Sequence, residues 1–222
     1  MIKDLFNSIV NDLNEIAYFN EFKYRKRDNS FVRKTIEGFD AIELQYWDGY
    51  DLKRDCRSLV IKPLYLKRFD ILHRWFEVYS FKSISDQRDN YSIGFDGGML
   101  DGTLQFYFRL DGVDFDSDFC FLRDEVIIKS KEVFENYNSL DKLYDFQIRP
   151  ILEDQKELPN TGADWVFEYL KLCSIVCPEK YNELKSKILN QVEIMNNRGE
   201  PNIIEYYKDL SKILIDIETK IS

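Results

Sequence analysis

Phe22-Lys-Tyr-Arg-Lys-Arg27 and Phe31-Val-Arg-Lys-Thr-Ile36 are two β-prone runs separated by Asp28-Asn29-Ser30. Aromatic and β-branched residues suit a pleated surface, and the Asp-Asn-Ser cluster carries turn chemistry, so the stretch reads as a hairpin. Ala41-Ile-Glu-Leu-Gln-Tyr-Trp47 alternates as a third strand. Ser58-Leu-Val-Ile-Lys62 is a fourth, closed by Pro63. Thr103-Leu-Gln-Phe-Tyr-Phe-Arg-Leu110 places Leu104, Phe106, Phe108 and Leu110 on one face of a half-buried strand. Glu125-Val-Ile-Ile-Lys129 is short and β-branched, and reads as another. Trp165-Val-Phe-Glu-Tyr-Leu170 and Ser174-Ile-Val-Cys177 are ambiguous by period, and their aromatic and β-branched content favours strands. Trp75-Phe-Glu-Val-Tyr-Ser-Phe81 fits a strand or the end of a short helix. Strands that cluster instead of alternating with helices imply an α+β fold with a largely antiparallel sheet.

Helical spacing frames this core. Ile2, Leu5, Phe6, Ile9, Val10, Leu13 and Ile16 form one apolar stripe over residues 2–17. Helices are expected over roughly 130–152, 179–197 and 202–219, with Pro178 and Pro201 near first turns and Gly199 at a stop. Residues 153–162 form the best linker. The expected organisation is a core domain over 1–177, with a helical part over 178–222 packed on it.

The chain has 222 residues, 44% of them hydrophobic and 15% aromatic, which excludes intrinsic disorder. No stretch approaches the roughly 18 apolar residues of a membrane span, so no membrane partner is expected. Asp4 and Asn7 interrupt the first apolar run, so no signal peptide is expected at the start. Four scattered cysteines, at 56, 120, 173 and 177, fit a reducing, cytoplasmic setting better than a disulfide framework. The net charge of −9 is uneven along the chain. Residues 1–110 carry 17 basic and 17 acidic residues, and residues 111–222 carry 14 and 23. Such a C-terminal half repels nucleic acid and attracts cationic partners, unless it is simply a solvated surface.

Several constellations have a chemical and a plain reading. Asp114, Asp116, Asp118 and Glu125 imitate the carboxylate spacing of a calcium loop, but Phe119 stands where such a loop needs glycine, so an acidic turn is preferred. Cys173, Cys177 and His73 lack the close ligand pairs of a zinc site, and no metal is expected. His73 is the single imidazole, so any Ser–His or Cys–His mechanism has to use it. Lys23, Arg25 and Arg27 form a basic stripe able to grip phosphate, unless Glu37, Asp40, Glu43 and Asp48 neutralise it. The stretch Gly94-Phe-Asp-Gly-Gly-Met-Leu-Asp-Gly-Thr-Leu104 lacks the ending of a P-loop and reads by itself as a hairpin connection.

Part of that stretch, Met99-Leu-Asp-Gly-Thr-Leu104, resembles the nucleotidyltransferase motif Lys-x-Asp-Gly-Ser/Thr-Leu, with Met99 in the lysine position. Further pieces follow in the order found in phage-type RNA ligases. Met1-Ile-Lys-Asp-Leu-Phe-Asn-Ser8 resembles their opening helix, and Asp55-Cys-Arg-Ser-Leu-Val60 their Glu-Cys-Arg-Gly segment. Trp75 to Phe81 falls where their aromatic segment lies. Ile128-Lys-Ser-Lys131 resembles Lys-Ser-Lys-Gly, with Glu132 replacing the glycine, and Val166-Phe-Glu-Tyr169 with Ser174-Ile-Val176 resembles their Phe-Glu-Phe and Arg-Ile-Val pair.

The resemblance covers roughly residues 1–177 and implies a nucleotidyltransferase-like core that takes ATP or AMP, with magnesium accompanying the nucleotide, and RNA ends. It places Arg57, Asp101, Gly102, Lys129, Lys131 and Glu168 around the nucleotide, with Glu168 as the ribose-contacting acid and Met99 at the nucleophile position. A thioether cannot form the lysyl-adenylate of that family, and the later Glu-Gly and Lys-x-Lys motifs are missing. The expectation is therefore a ligase-like protein without ligase catalysis, retaining nucleotide or RNA-end binding. The alternative is a non-enzymatic binding module, of the immunity or inhibitor type, whose acidic C-terminal half recognises a basic protein.

Overall fold

The computed structural model describes residues 1–160 and 163–219. Along the chain, α1 (Ile2–Asn14) leads into β1 (Lys23–Arg25), β2 (Ser30–Lys34), β3 (Gly38–Asp51) and β4 (Cys56–Phe69). Two short helices, α2 (Asp70–His73) and α3 (Ile84–Asp89), precede β5 (Ile93–Asp96) and β6 (Phe106–Arg109). The remainder is helical: α4 (Phe115–Asn136), α5 (Leu140–Gln147), α6 (Arg149–Leu152), α7 (Asp164–Val176), α8 (Tyr181–Asn197), α9 (Pro201–Tyr207) and α10 (Leu210–Glu218). The fold is α+β.

Two compact units form, and they cut the chain differently from a boundary at 177. The first contains Met1–Arg68 and Ile93–Asn136, the second Phe69–Ser92 and Tyr137–Ser222. Residues 137–177 therefore belong with the C-terminal helices.

The first unit holds the sheet, in the order β1-β2-β3-β4, with β5 and β6 both paired to β4. The hairpin stands at its edge, with Tyr24 opposite Phe31, and Asn29 takes the left-handed conformation that its short polar side chain tolerates. β2 pairs antiparallel with β3, from Lys34 opposite Phe39 to Ser30 opposite Glu43. β4 runs straight through Pro63 instead of stopping there. It pairs with β6 over Ser58–Ile61 and with β5 over Leu64–Lys67, so the proline, which has no N–H, lies at a break in that ladder. The core forms where the apolar faces meet: Phe6, Ile9, Val10 and Leu13 of α1, Ile42 and Leu44 of β3, and Leu59 and Ile61 of β4 are all buried.

Charge inside this unit is paired. Asp40 accepts from buried Lys67 at 2.7 Å and from Arg33 at 2.9 Å, and Arg33 also reaches Glu21 at 2.6 Å. A buried carboxylate with two cationic donors keeps its charge without a stranded lone pair. Asp40 thus serves Arg33 and Lys67, while Arg25 of the basic stripe pairs locally with Asp28 at 2.6 Å.

The largest corrections concern helices. Residues 125–129 lie within α4, not a strand. Leu122, Val126, Ser130 and Val133 are buried at steps of three and four, a helical face that continues well beyond the β-branched run. Residues 165–170 and 174–176 likewise lie in α7. Val166, Phe167 and Tyr169 through Ser174 are buried there, so the helix is covered on nearly every side and shows no amphipathic period. Trp75 lies in a single 3-10 turn, Arg74–Phe76, which agrees with the short-helix option for 75–81.

β6 is shorter than expected, and its facing holds only in its centre. Phe106 and Phe108 are buried, whereas Leu104 is exposed. Phe106→Ala is expected to cost about 3–5 kcal/mol and Gln105→Ala less than about 0.5 kcal/mol in urea denaturation. Equal costs would contradict this facing.

Candidate functional site

The glycine-rich stretch follows β5 as a 3-10 turn, Gly97–Leu100, with Asp101 in the left-handed conformation at φ 51°. The Asp96 carboxylate accepts from the Met99 amide at 3.1 Å and from Lys62 at 2.9 Å, and the Lys62 bond holds its pKa below the usual carboxylate value. Glycine is required at 97, where an added Cβ would collide with the Thr103 carbonyl. At Gly102 it would lie 2.5 Å from Glu125 Oε1 and 2.9 Å from Lys129 Cε.

These two α4 side chains clamp the loop. Glu125 accepts from the Thr103 amide at 2.9 Å, and Lys129 Nζ donates to the Leu100 carbonyl at 2.6 Å and to Glu132 at 2.9 Å. Asp101, Gly102 and Lys129 are therefore brought together, with Met99 beside them, 71% exposed. Lys131 and Arg57 stand elsewhere in the first unit. Lys131 lies over the Tyr18 ring at 5.4 Å. On a strand, Lys129 and Lys131 would point the same way, but two positions along a helix turn them roughly 200° apart. Arg57 is exposed on β4 and holds Asp48, with Nε to Oδ1 at 3.0 Å. Glu168 belongs to the second unit.

Glu168 has a specific role there. His73 Nδ1 lies 3.3 Å from its carboxylate, and His73 Nε2 lies 2.9 Å from Ser92 Oγ. An ionised Glu168 carboxylate can only accept, which places an imidazole proton on Nδ1, while Ser92 Oγ accepts from the Phe69 amide at 3.0 Å and has its own hydroxyl proton to offer Nε2. A hydroxyl, imidazole and carboxylate thus meet. Sequence reasoning singled out His73, and Glu168 for a different role, but neither their meeting nor Ser92, which carries no motif. His73 is 7% and Ser92 5% exposed, and the adjoining cavity, lined by Leu72, Phe76 and Phe167, measures about 10 Å³. That volume suits one water molecule. The arrangement acts as a polar tie between α2, the end of the segment before β5, and α7.

Among the described residues no group of three or more His, Cys, Asp or Glu is placed to hold a metal. The calcium-like spacing is not a loop, since α4 begins at Phe115, Asp118 is bound by Arg54 at 2.7 Å, and Glu125 serves Thr103. Cys173 is fully buried, and burial pushes its thiol up to about 12. Cys177 donates to Glu179 at 3.0 Å. The second unit also carries an open polar groove of about 720 Å³ between residues 151–160 and α8, where Lys187 holds the Ile151 carbonyl at 3.1 Å.

The start of α4 collects unspent acid. Asp111 pairs with Arg109 at 2.6 Å, Asp118 with Arg54 and Asp124 with Arg123 at 2.7 Å. The exposed carboxylates of Asp114 and Asp116 make no hydrogen bond or ion pair among the described residues, although Asp114 acts electrostatically on Arg109. Val113 and Phe121 are exposed beside them in sequence. Folding also redistributes the charge of the C-terminal half: the first unit carries 17 basic and 21 acidic residues, the second 14 and 19.

Comparison with known proteins supplies no relative: no family model, no curated protein and no solved structure matches this chain.

Two outcomes test these assignments. Glu168→Ala is expected to cost about 1–3 kcal/mol by stripping a buried imidazole of its acceptor, while Arg57→Ala at the surface stays within about 0.5 kcal/mol. Similar losses in denaturation would contradict the buried tie. In thiol labelling at mildly alkaline pH, exposed Cys120 reacts promptly. Cys173, with its raised pKa, stays protonated and reacts only on unfolding. Prompt labelling of Cys173 in the folded chain would refute its burial.

Proposed function

We propose that the chain is a non-enzymatic binding module that recognises a basic protein partner, as immunity and inhibitor proteins do. The observation that carries this reading is the pair of exposed carboxylates at the start of α4, Asp114 and Asp116, which hold no hydrogen bond or ion pair among the described residues. A helix N-terminus favours negative charge, so the face keeps its acids at no cost to the helix. Covering two such carboxylates is favourable only against a partner that brings cations. Val113 and Phe121 offer apolar contact on the same segment.

The competing proposal is the nucleotide or RNA-end site, with ATP or AMP and magnesium held by Arg57, Asp101, Gly102, Lys129, Lys131 and Glu168 around Met99. It requires Lys129 to leave the Leu100 carbonyl and Glu132, and Glu168 to leave His73. Those existing partners favour the binding module.

Calorimetry on the full chain separates the two, with a lysine-rich peptide and, in a second titration, magnesium–ATP. The peptide is expected to bind with an affinity that falls as salt rises. Asp114→Asn combined with Asp116→Asn should weaken it about tenfold or more. Magnesium–ATP is expected to give no binding heat. Nucleotide binding that disappears in Lys129→Ala, with no peptide binding, would overturn the proposal.

A further inference from the structure

The basic stripe on the first hairpin is not neutralised by the acids that follow it in sequence. Asp40 holds Lys67 and Arg33, Asp48 holds Arg57, and Glu43 accepts only from Gln45 at 3.1 Å. Residues 22–38 carry six bases and two acids. Arg25 is spent on Asp28, which Arg27 also approaches, and Arg33 is spent on Glu21 and Asp40. Lys23, Lys26 and Lys34 are exposed and make no hydrogen bond or ion pair among the described residues. Of the two acids, only Glu37 is left in the same state.

The two strands gather these cations. Directly opposite residues of a ladder share a face, and so do residues two apart along a strand. Lys23 stands opposite Val32, Lys34 lies two residues beyond Val32, and Phe39 stands opposite Lys34. Two unpaired lysines therefore lie diagonally on one face, beside half-buried Val32 and Phe39. The next turn adds Ile36, which is fully exposed. It is held out by two bonds at 3.1 Å, from the Thr35 amide to the Gly38 carbonyl and from the Gly38 amide to Thr35 Oγ1. The other end of the hairpin is fixed as well. Ser30 Oγ donates to Asp28 at 2.8 Å, and the Leu44 amide, which points to the β2 side of β3, donates to the Asn29 carbonyl at 2.9 Å. Beyond that bond β3 continues to Asp51 with, among the described residues, no strand on this side. A patch held in place loses little freedom on binding.

We infer that this face of the β1–β2 hairpin, with Lys23, Val32, Lys34 and Ile36, docks a protein segment in which acidic and apolar residues alternate. The inference goes beyond the binding of a basic partner at the start of α4 and does not rest on it. Two features choose the occupant. Three unpaired cations against one unpaired acid call for an anionic partner, which also relieves the repulsion between diagonal lysines. Ile36, Val32 and Phe39 call for a partner that brings apolar side chains, which a phosphate backbone does not. The net charge of −9 acts further against a long polyanion, whose ends extend past the patch. Guarding a sheet edge accounts for a lysine on β1, but not for a fully exposed isoleucine beside the lysines.

The test uses the full chain and follows its amide shifts by NMR during titration with a short synthetic peptide alternating glutamate and leucine. Three ligands are compared with it: the peptide with glutamine for glutamate, the peptide with serine for leucine, and single-stranded oligothymidylate. The glutamate–leucine peptide is expected to move Lys23, Val32, Lys34 and Ile36 and to bind about tenfold or more tighter than each of the three. Lys23→Gln with Lys34→Gln and, separately, Ile36→Ser should leave the unfolding midpoint in place and weaken binding about fivefold or more. Glu37→Gln removes the one opposing acid and should tighten it about twofold. Asp114→Asn with Asp116→Asn should leave it unchanged. Oligothymidylate binding at these residues as tightly as the peptide would overturn the protein segment in favour of phosphate. Shifts of the same residues on raising chain concentration alone would overturn a separate partner in favour of a second copy. Equal binding by the glutamine or serine peptide, or no shift at the hairpin with any peptide, would also overturn the inference.

Discussion

The long hairpin depends on one guanidinium. Arg54, in the turn between β3 and β4, donates to Asp51 at 2.6 Å, to Asp118 at 2.7 Å and to the Tyr107 carbonyl at 2.5 Å. Burial opposes its charge, but the hydrogen bonds it donates to the Asp118 and Asp51 carboxylates outweigh burial and raise its pKa above the usual arginine value. Three partners from three elements are thereby locked to the tip: the end of β3, the first turn of α4 and β6. The lock has two consequences. β3 stays extended beyond the last residue that β2 covers, and Asp118 is spent internally, so Asp114 and Asp116 are the acids left for solvent.

What could be read from the sequence follows from how many faces of each element are covered. α1 and the centre of β6 each bury one side, so their periods of 3.6 and 2 survive in the residue pattern. α7 is buried almost all round, which erases its period and leaves only aromatic and β-branched composition, a signal that points to strand. In α4 the run Val126-Ile127-Ile128 carries the same false signal, although the buried series Leu122, Val126 and Val133 extends past it. Pro63 ended a strand too early because its tolerance depends on where β4 changes partner from β6 to β5, which local sequence does not encode.

The site was legible in part. Asp101, Gly102 and Lys129 do meet, because the glycine-rich turn needs a backbone that can lie close against α4. Their meeting is a clamp on the loop: Lys129 donates to the Leu100 carbonyl and Glu125 accepts from the Thr103 amide. Lys131 parts from Lys129 by helix geometry, and Glu168 is claimed by His73. The open edge of β3 was hidden for a different reason. Alternation shows that a strand exists but not how far its neighbour accompanies it, and only the register of β2 against β3 exposes the mismatch.

The central claim is that β3 between Gln45 and Asp51 is a held, unpaired edge. Amide hydrogen exchange of the free chain, resolved residue by residue, tests it most directly. Tyr46, Asp48 and Tyr50 should exchange fast, while Gln45, Trp47 and Gly49, whose amides face β4, are protected, giving an alternating pattern. Uniform protection across the stretch would show that the edge is already covered. Uniformly fast exchange would show that the hairpin is not held.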